Sequence, residues 1–157
     1  MKSAIFFVFC LIFAFSNIAA QTMEDAKYKV KPSEDKNSPT KVYIPENLDD
    51  CFKELKKMLT PELIEEMKTN TESDMVKYHH GLGMWIRNNW GLWTSSRLKK
   101  YFNDLGIHHP DDMSGIILTS FWRSLNDKPI QLEKQIKYYQ DYWNKTKKQN
   151  KNKEDVK

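Results

Sequence analysis

Several features that mark common protein classes are missing from this sequence of 157 residues. It has no metal-finger spacing, phosphate-binding loop, dinucleotide fingerprint or nucleophile elbow. Only five glycines are present and no segment repeats, which excludes collagen-like and solenoid architectures. No apolar run reaches the roughly 20 residues that a membrane-spanning helix needs. The length of the chain suits one globular domain.

Cysteine is also scarce, with one residue at Cys10 and one at Cys51. Cys10 lies in a segment that is predicted to be removed, so the mature chain keeps one thiol and cannot form an internal disulfide. Cys51 falls on the apolar stripe of a predicted helix, which favours a small buried side chain over a nucleophile or an intermolecular bridge. Stability is therefore expected to come from packing.

The first 20 residues have the three parts of a cleaved export signal. Lys2 provides the positive start, an apolar run extends from Ala4 to Phe15, and small residues occupy positions 19 and 20. The apolar run of about 12 residues is short for a membrane anchor. We therefore expect a signal peptide at 1–20, a secreted or periplasmic location, and no stable membrane anchor after cleavage.

Positive charge is concentrated at the two ends of the chain. Residues 145–157 hold six lysines and two acidic residues, and residues 21–41 hold five lysines and four acidic residues. Both segments are poor in apolar groups and are predicted to be disordered tails. Residues 42–144 carry 13 basic and 15 acidic residues, so the basic folded face that specific nucleic-acid binding requires is not expected. Weak adhesion of the lysine-rich end to anionic polymers is an alternative to a purely solubilising role.

Apolar residues within 42–144 recur at helical spacing, and this pattern predicts an all-α, compact single-domain bundle of five or six short helices. The helix that starts at Pro110 is apolar around most of its circumference and is predicted to be the central one. Gly81 and Gly83 fall inside the third predicted helix, which indicates a closely packed neighbour at that point. The predicted helix-start residues are Asn47, Thr60, Thr71, Ser95 or Ser96, and Pro110.

One block, residues 81–93, has an unusual composition: it holds three of the five tryptophans together with an arginine and two asparagines. An arginine offers a fork of donors, asparagines offer amides, and tryptophans offer stacking faces. The block therefore predicts a binding surface made by Arg87, Asn88, Asn89, Trp90 and Trp93.

A structural interpretation of the same block is open as well. In that interpretation the tryptophans fill a helix junction and the asparagines cap exposed backbone. Arg87 then pairs with Asp111 or Asp112 instead of with a ligand.

Two strings within the predicted core carry a family resemblance. Residues 87–93 read Arg-Asn-Asn-Trp-Gly-Leu-Trp, and residues 109–114 read His-Pro-Asp-Asp-Met-Ser. Over roughly Ile44 to Trp143 the chain resembles a family of uncharacterised bacterial domains, a domain of unknown function. The resemblance implies a bacterial source and a compact helical domain, and it implies no particular activity.

The leading functional hypothesis is an exported, non-catalytic binding or interaction module that needs no cofactor and acts on a protein partner or a cell-envelope saccharide. The runner-up is a hydrolase or metal-dependent enzyme that uses His79, His109, Asp111 and Asp112. As metal ligands, His109, Asp111 and Asp112 are weak candidates because their spacing fits no recognised pattern. A triad of Ser114, His109 and Asp111 lacks the strained turn that would present the serine.

Overall fold

A computed structural model of the protein describes residues 32–154, with side chains described as far as residue 149. The predicted signal peptide at 1–20 and the first part of the predicted N-terminal tail lie outside the described residues, as do residues 155–157. Six α-helices form the described chain, which confirms the predicted all-α class: α1 (Leu48–Met58), α2 (Pro61–Thr69), α3 (Met84–Asn89), α4 (Arg97–Asp104), α5 (Pro110–Leu125) and α6 (Leu132–Glu154).

Three of the predicted helix starts are made by short polar side chains. Each accepts a hydrogen bond from a backbone N–H of the first turn, a donor that the helix itself leaves unsatisfied. The pairs are Asn47 with the N–H of Asp50 at 3.0 Å, Thr60 with that of Leu63 at 3.2 Å, and Ser96 with that of Lys99 at 3.0 Å. The caps of α1, α2 and α4 are thereby confirmed, and Ser96 rather than Ser95 caps α4.

Helix α5 is the centre of the bundle, as its sequence predicted. Ten of its 16 residues are buried, and it packs against each of the other five α-helices. Apolar burial of this kind contributes about 25 cal/mol per Å². Cys51 of α1 faces this core with no exposed surface, and burial raises the pKa of its thiol well above the ordinary value. The interpretation of Cys51 as a structural residue is confirmed.

The third predicted helix is continuous but irregular. A 3₁₀ segment (Glu72–Tyr78) passes into a π turn (His79–Gly83) and then into α3. A Cβ placed on Gly83 would lie 3.4 Å from the Leu118 side chain of α5 and 3.2 Å from the Arg87 guanidinium. The close approach predicted from the glycines is therefore present at Gly83. Insertions of π geometry often accompany functional sites.

The described part of the predicted N-terminal tail, residues 32–41, contacts the bundle, and the boundary and disorder predicted for 21–41 stay predictions. Residues 32–41 turn back on themselves, with Glu34 bridged to Val42 and the N–H of Tyr43 bonded to the carbonyl of Ser33 at 2.7 Å. The buried carboxylate of Glu54 on α1 accepts from both the N–H and the hydroxyl of Ser33, at 2.7 and 2.9 Å. The Glu54 side chain on α1 thus holds Ser33, which lies in a segment whose own composition predicts disorder.

At the C-terminal end, α6 continues past residue 144 to Glu154, and the boundary and disorder predicted for 145–157 stay predictions. No glycine or proline follows Pro129, and lysine and glutamine have good helix propensity. The helix therefore has no residue that would stop it at the edge of the domain.

Candidate functional site

The five residues predicted to bind a ligand have very different exposure. Trp90 has no exposed surface and Arg87 is 5% exposed, whereas Asn88 is exposed and Trp93 is 52% exposed. Asn89 is half-buried and its amide donates to the carbonyl of Trp85 at 2.9 Å. A ligand needs an open ring face or an open guanidinium edge, so this surface retains only Asn88 and Trp93 as exposed contacts. Ligand contact by the block stays a prediction.

Arg87 is satisfied inside the protein. Its Nη1 donates to the hydroxyl of Ser114 at 2.8 Å and to the carbonyl of His79 at 3.4 Å. Its Nε lies 3.2 Å from an Asp111 carboxylate oxygen, within ion-pair distance but without hydrogen-bond alignment. Of the two acidic partners considered from the sequence, Asp111 is the one that pairs. The guanidinium thereby ties α3 to the first turn of α5.

Asp111 is the centre of a polar cluster formed with His79, Arg87 and His109. His79 Nε2 lies 3.3 Å from the oxygen that also faces Arg87, and His109 Nδ1 lies 3.3 Å from the other oxygen. Partial burial, followed by the nearby Arg87 charge, lowers the pKa of His79, while Asp111 acts against this. Neutral His79 is therefore the favoured form at pH 7.

His109 has two alternative roles in this cluster. It caps α5, where its Nδ1 accepts from the N–H of Asp111 at 3.3 Å. The same nitrogen lies 3.3 Å from the Asp111 carboxylate, to which only a protonated Nδ1 donates. The cap and the ion pair therefore require different protonation of one atom.

Asp112 lies apart from this cluster, although it was grouped with Asp111 in the enzyme hypothesis. Its carboxylate accepts from the indole N–H of Trp143 on α6 at 2.7 Å. Burial raises the pKa of Asp112, and the Trp143 hydrogen bond acts in the opposite direction. The pair fastens α6 to α5.

Ser114 is fully buried and its hydroxyl donates to the carbonyl of Asp111 at 2.9 Å. It also accepts from Arg87, so it has neither the exposure nor the basic partner that a nucleophile needs.

A pocket of about 480 Å³ opens beside this cluster, between the start of α5 and the middle of α6. Its walls are the loop before α5 and one stripe of α6. The polar and aromatic lining residues are His108, His109, Asp112, Tyr139, Gln140, Trp143, Asn144 and Lys147. A volume of this size is typical of small-ligand sites.

Two glycines allow the walls of the pocket to come together. Gly106 has φ +77°, which side chains strongly disfavour, and a Cβ there would lie 2.7 Å from the Gln140 amide. A Cβ on Gly115 would lie 2.5 Å from the Tyr139 hydroxyl. Burial is also the main cause that raises the pKa of Tyr139 to about 12. A side chain at Gly115 would require the Tyr139 ring to move, whereas at Gly106 the flexible end of the exposed Gln140 can turn aside and the positive φ is the main obstacle.

His109 connects the pocket with the block predicted from the sequence. The Trp143 ring packs on His109 with 5.3 Å between ring centres, and the exposed Trp93 approaches His109 edge-on at 6.3 Å. The α6 wall itself was missed as a site. The helical spacing of Tyr139 and Trp143 already placed both side chains on the inward face of α6, but that spacing was used only to predict a helix.

Residues 32–149 contain no group of three or more His, Cys, Asp and Glu side chains placed to hold a metal ion. Among the same residues, no helix combines the length and the apolar character that crossing a membrane requires.

A family model described as a domain of unknown function (DUF6794) matches residues 44–125, just over half of the chain. The chain belongs to this family. Membership of a domain-of-unknown-function family, predicted from the resemblance, is thereby confirmed, while the bacterial source stays a prediction. The DUF6794 match includes the Asp111 cluster and ends with α5, so the α6 wall of the pocket lies outside it. No curated protein and no solved structure matches the chain.

Proposed function

We propose that this DUF6794 protein is a non-catalytic binding module and that its ligand is a saccharide held in the pocket between α5 and α6. The observation that supports this is the composition of the pocket of about 480 Å³, where an indole lies beside a carboxylate, two amides and an ammonium group. Ligand sites of this size combine apolar lining with a few placed polar groups.

The lining residues suit the two chemical faces of a sugar ring. Trp143 and Tyr139 provide apolar ring surface, and Gln140 and Asn144 provide amide donors and acceptors for hydroxyl groups. Trp143 is held in place by its hydrogen bond to Asp112 and by its packing on His109. A side chain fixed in this way loses little conformational entropy when a ligand binds.

This proposal moves the centre of the site away from the predicted block. Arg87 and Trp90 serve the fold in it, and Trp93 extends the aromatic surface on the far side of His109. We also propose that the protein is secreted or periplasmic, on the pattern of residues 1–20. A cell-envelope saccharide would be available in either location.

Titration of the mature protein with a panel of neutral and acidic sugars tests the proposal. Calorimetry and tryptophan fluorescence should show saturable binding to at least one of them. Trp143→Ala should abolish this binding, with circular dichroism used to verify folding. Tyr138→Ala is the matched control, because Tyr138 is on the same helix, is 67% exposed and does not line the pocket. Absence of binding across the panel, or equal loss in both variants, would contradict the proposal.

One observation supports the second candidate, a hydrolase or metal-dependent enzyme. His79 comes from a different part of the sequence than His109 and Asp111, and each histidine has a ring nitrogen 3.3 Å from an Asp111 carboxylate oxygen. His79→Ala should remove any hydrolytic activity, whereas His80→Ala should retain it because His80 is exposed and has no part in the cluster. Elemental analysis of the purified protein separates the metal-dependent version, which requires stoichiometric metal.

A further inference from the structure

The proposed saccharide pocket has one acidic and one basic lining residue, and they lie at different heights along the axis of α6. Asp112 is its single acidic lining residue and Lys147 its single lysine or arginine. Asp112 is bonded to Trp143, and Lys147 lies four residues further along α6, about 6 Å by the rise of a helix. A ligand that spans the pocket therefore meets a carboxylate at one level and an ammonium group at the next.

The two charges differ in how far the protein already satisfies them. One Asp112 oxygen is engaged by the Trp143 indole N–H, and the residue is only 9% exposed. Lys147 is exposed and makes no ion pair or hydrogen bond with any residue in 32–149. Some other lysines of this bundle have carboxylate partners, including Lys137 with Asp141 at 3.0 Å on the same helix, whereas Lys145 and Lys148 have none among residues 32–149.

From this geometry we propose that the pocket selects an acidic saccharide, with the carboxylate of the sugar paired to Lys147 and a ring hydroxyl donated to Asp112. The inference rests on the proposed saccharide function and adds the charge of the ligand. The free ammonium group supplies three donors for an anionic oxygen, and a pair between charged partners is stronger than a neutral hydrogen bond. The Asp112 carboxylate serves as an acceptor for a hydroxyl and disfavours an anion at its own level.

The chain offers a close control for Lys147. Lys148 is the next residue, carries the same charge, is exposed and does not line the pocket. Consecutive residues on a helix point about 100° apart, so the two side chains leave α6 in different directions. Neutralising either one changes the net charge of the protein equally.

Glucuronate and glucose form a suitable pair of probes, because they differ only in the carboxylate at C6. In calorimetric titrations at low salt, the native protein should bind glucuronate roughly three- to tenfold more tightly than glucose. Lys147→Gln should remove that preference by weakening glucuronate binding to the level of glucose binding, whereas Lys148→Gln should keep it. Added salt should weaken only the glucuronate interaction.

Different failures point to different conclusions. Equal affinity for the two sugars, or a preference that survives Lys147→Gln, would refute the acidic ligand while the saccharide function stands. A preference lost equally in both lysine variants would assign it to net charge, which also overturns the proposal. Failure of both sugars and of the whole panel to bind would refute the saccharide function together with this inference.

Discussion

Two regions of the molecule use similar side chains for opposite purposes. Around α3, an arginine and a tryptophan, Arg87 and Trp90, are buried and face other parts of the protein. On α6, a lysine and a tryptophan, Lys147 and Trp143, line an open pocket. Residue type alone does not separate these cases. The difference lies in whether the protein or the solvent occupies the space beside the side chain, and burial decides that.

Trp90 offers the largest test of this comparison. Trp90→Ala should lower the free energy of unfolding by about 3–5 kcal/mol because it leaves a large cavity, whereas the half-buried Trp143→Ala should cost less. Urea denaturation followed by circular dichroism measures both. Trp90→Phe should be milder than Trp90→Ala, since the Trp90 indole N–H has no hydrogen-bond partner among the described residues. Equal losses for Trp90→Ala and Trp143→Ala would mean that the assigned burial is wrong.

Arg87 and Lys147 provide the next contrast. Arg87→Met should destabilise the protein by about 2–4 kcal/mol, below the usual cost for a fully buried pair because the Asp111 side chain is 34% exposed. Lys147→Met should change stability by less than about 0.5 kcal/mol, as is normal for a surface residue. The measurement is again urea denaturation. A tolerated Arg87→Met would show that the guanidinium is available for a ligand, as the sequence analysis predicted.

The seating of α6 on α5 is tested at Gly115. Gly115→Ala should cost about 1–3 kcal/mol in thermal or urea unfolding through overpacking, because its Cβ would lie 2.5 Å from the Tyr139 hydroxyl. Combining it with Tyr139→Phe, which removes that hydroxyl, should restore part of the loss. If the double variant is as unstable as the sum of the single ones, the two residues do not touch.

A smaller effect is expected from pH. The pKa of His79 is lowered by burial and by Arg87, so below its ordinary value near 6.5 the unfolded chain takes up the proton more readily than the folded protein. Stability should therefore fall as the pH drops from 7 through that range and level off below the folded pKa. His79→Gln should flatten this part of the pH profile, measured by urea midpoints, whereas the exposed His80→Gln should alter it less, because His80 makes only a lesser contribution to the lowered pKa of His79. A profile that His79→Gln does not alter would contradict the assigned environment.

The sequence predicted the helical elements well because their signals are local. Asn47, Thr60 and Ser96 cap helices through bonds to residues three positions away, and these need no tertiary contact. The apolar circumference of α5 likewise indicated its central place. Local signals did not indicate two features at the ends of the domain: the bonds between Glu54 and the distant Ser33, and the extension of α6 to Glu154.

The candidate site was predicted less well than the fold. Its residues come from the loop before α5 and from α6, which are separated by more than 20 positions in the chain. The block at 81–93 drew attention because its composition is unusual, but composition does not reveal which side chains are buried. From the sequence, Arg87 was predicted to pair with Asp111 or Asp112, and His79 and His109 were grouped with both acids in the enzyme hypothesis. In the structure, Arg87, His79 and His109 all lie beside Asp111.

The helical class, most helix starts and the central position of α5 follow from the amino-acid sequence, because helix periodicity and capping act over three or four residues. The packing of the helices is what turns Arg87 and Trp90 inward, brings three partners to Asp111, and places Trp143 and Lys147 in the wall of a pocket. Those outcomes depend on which helices meet and how closely. The spacing between helices, set here in part by Gly83 and Gly115, is a property of the packed chain and has no local signal strong enough to predict it.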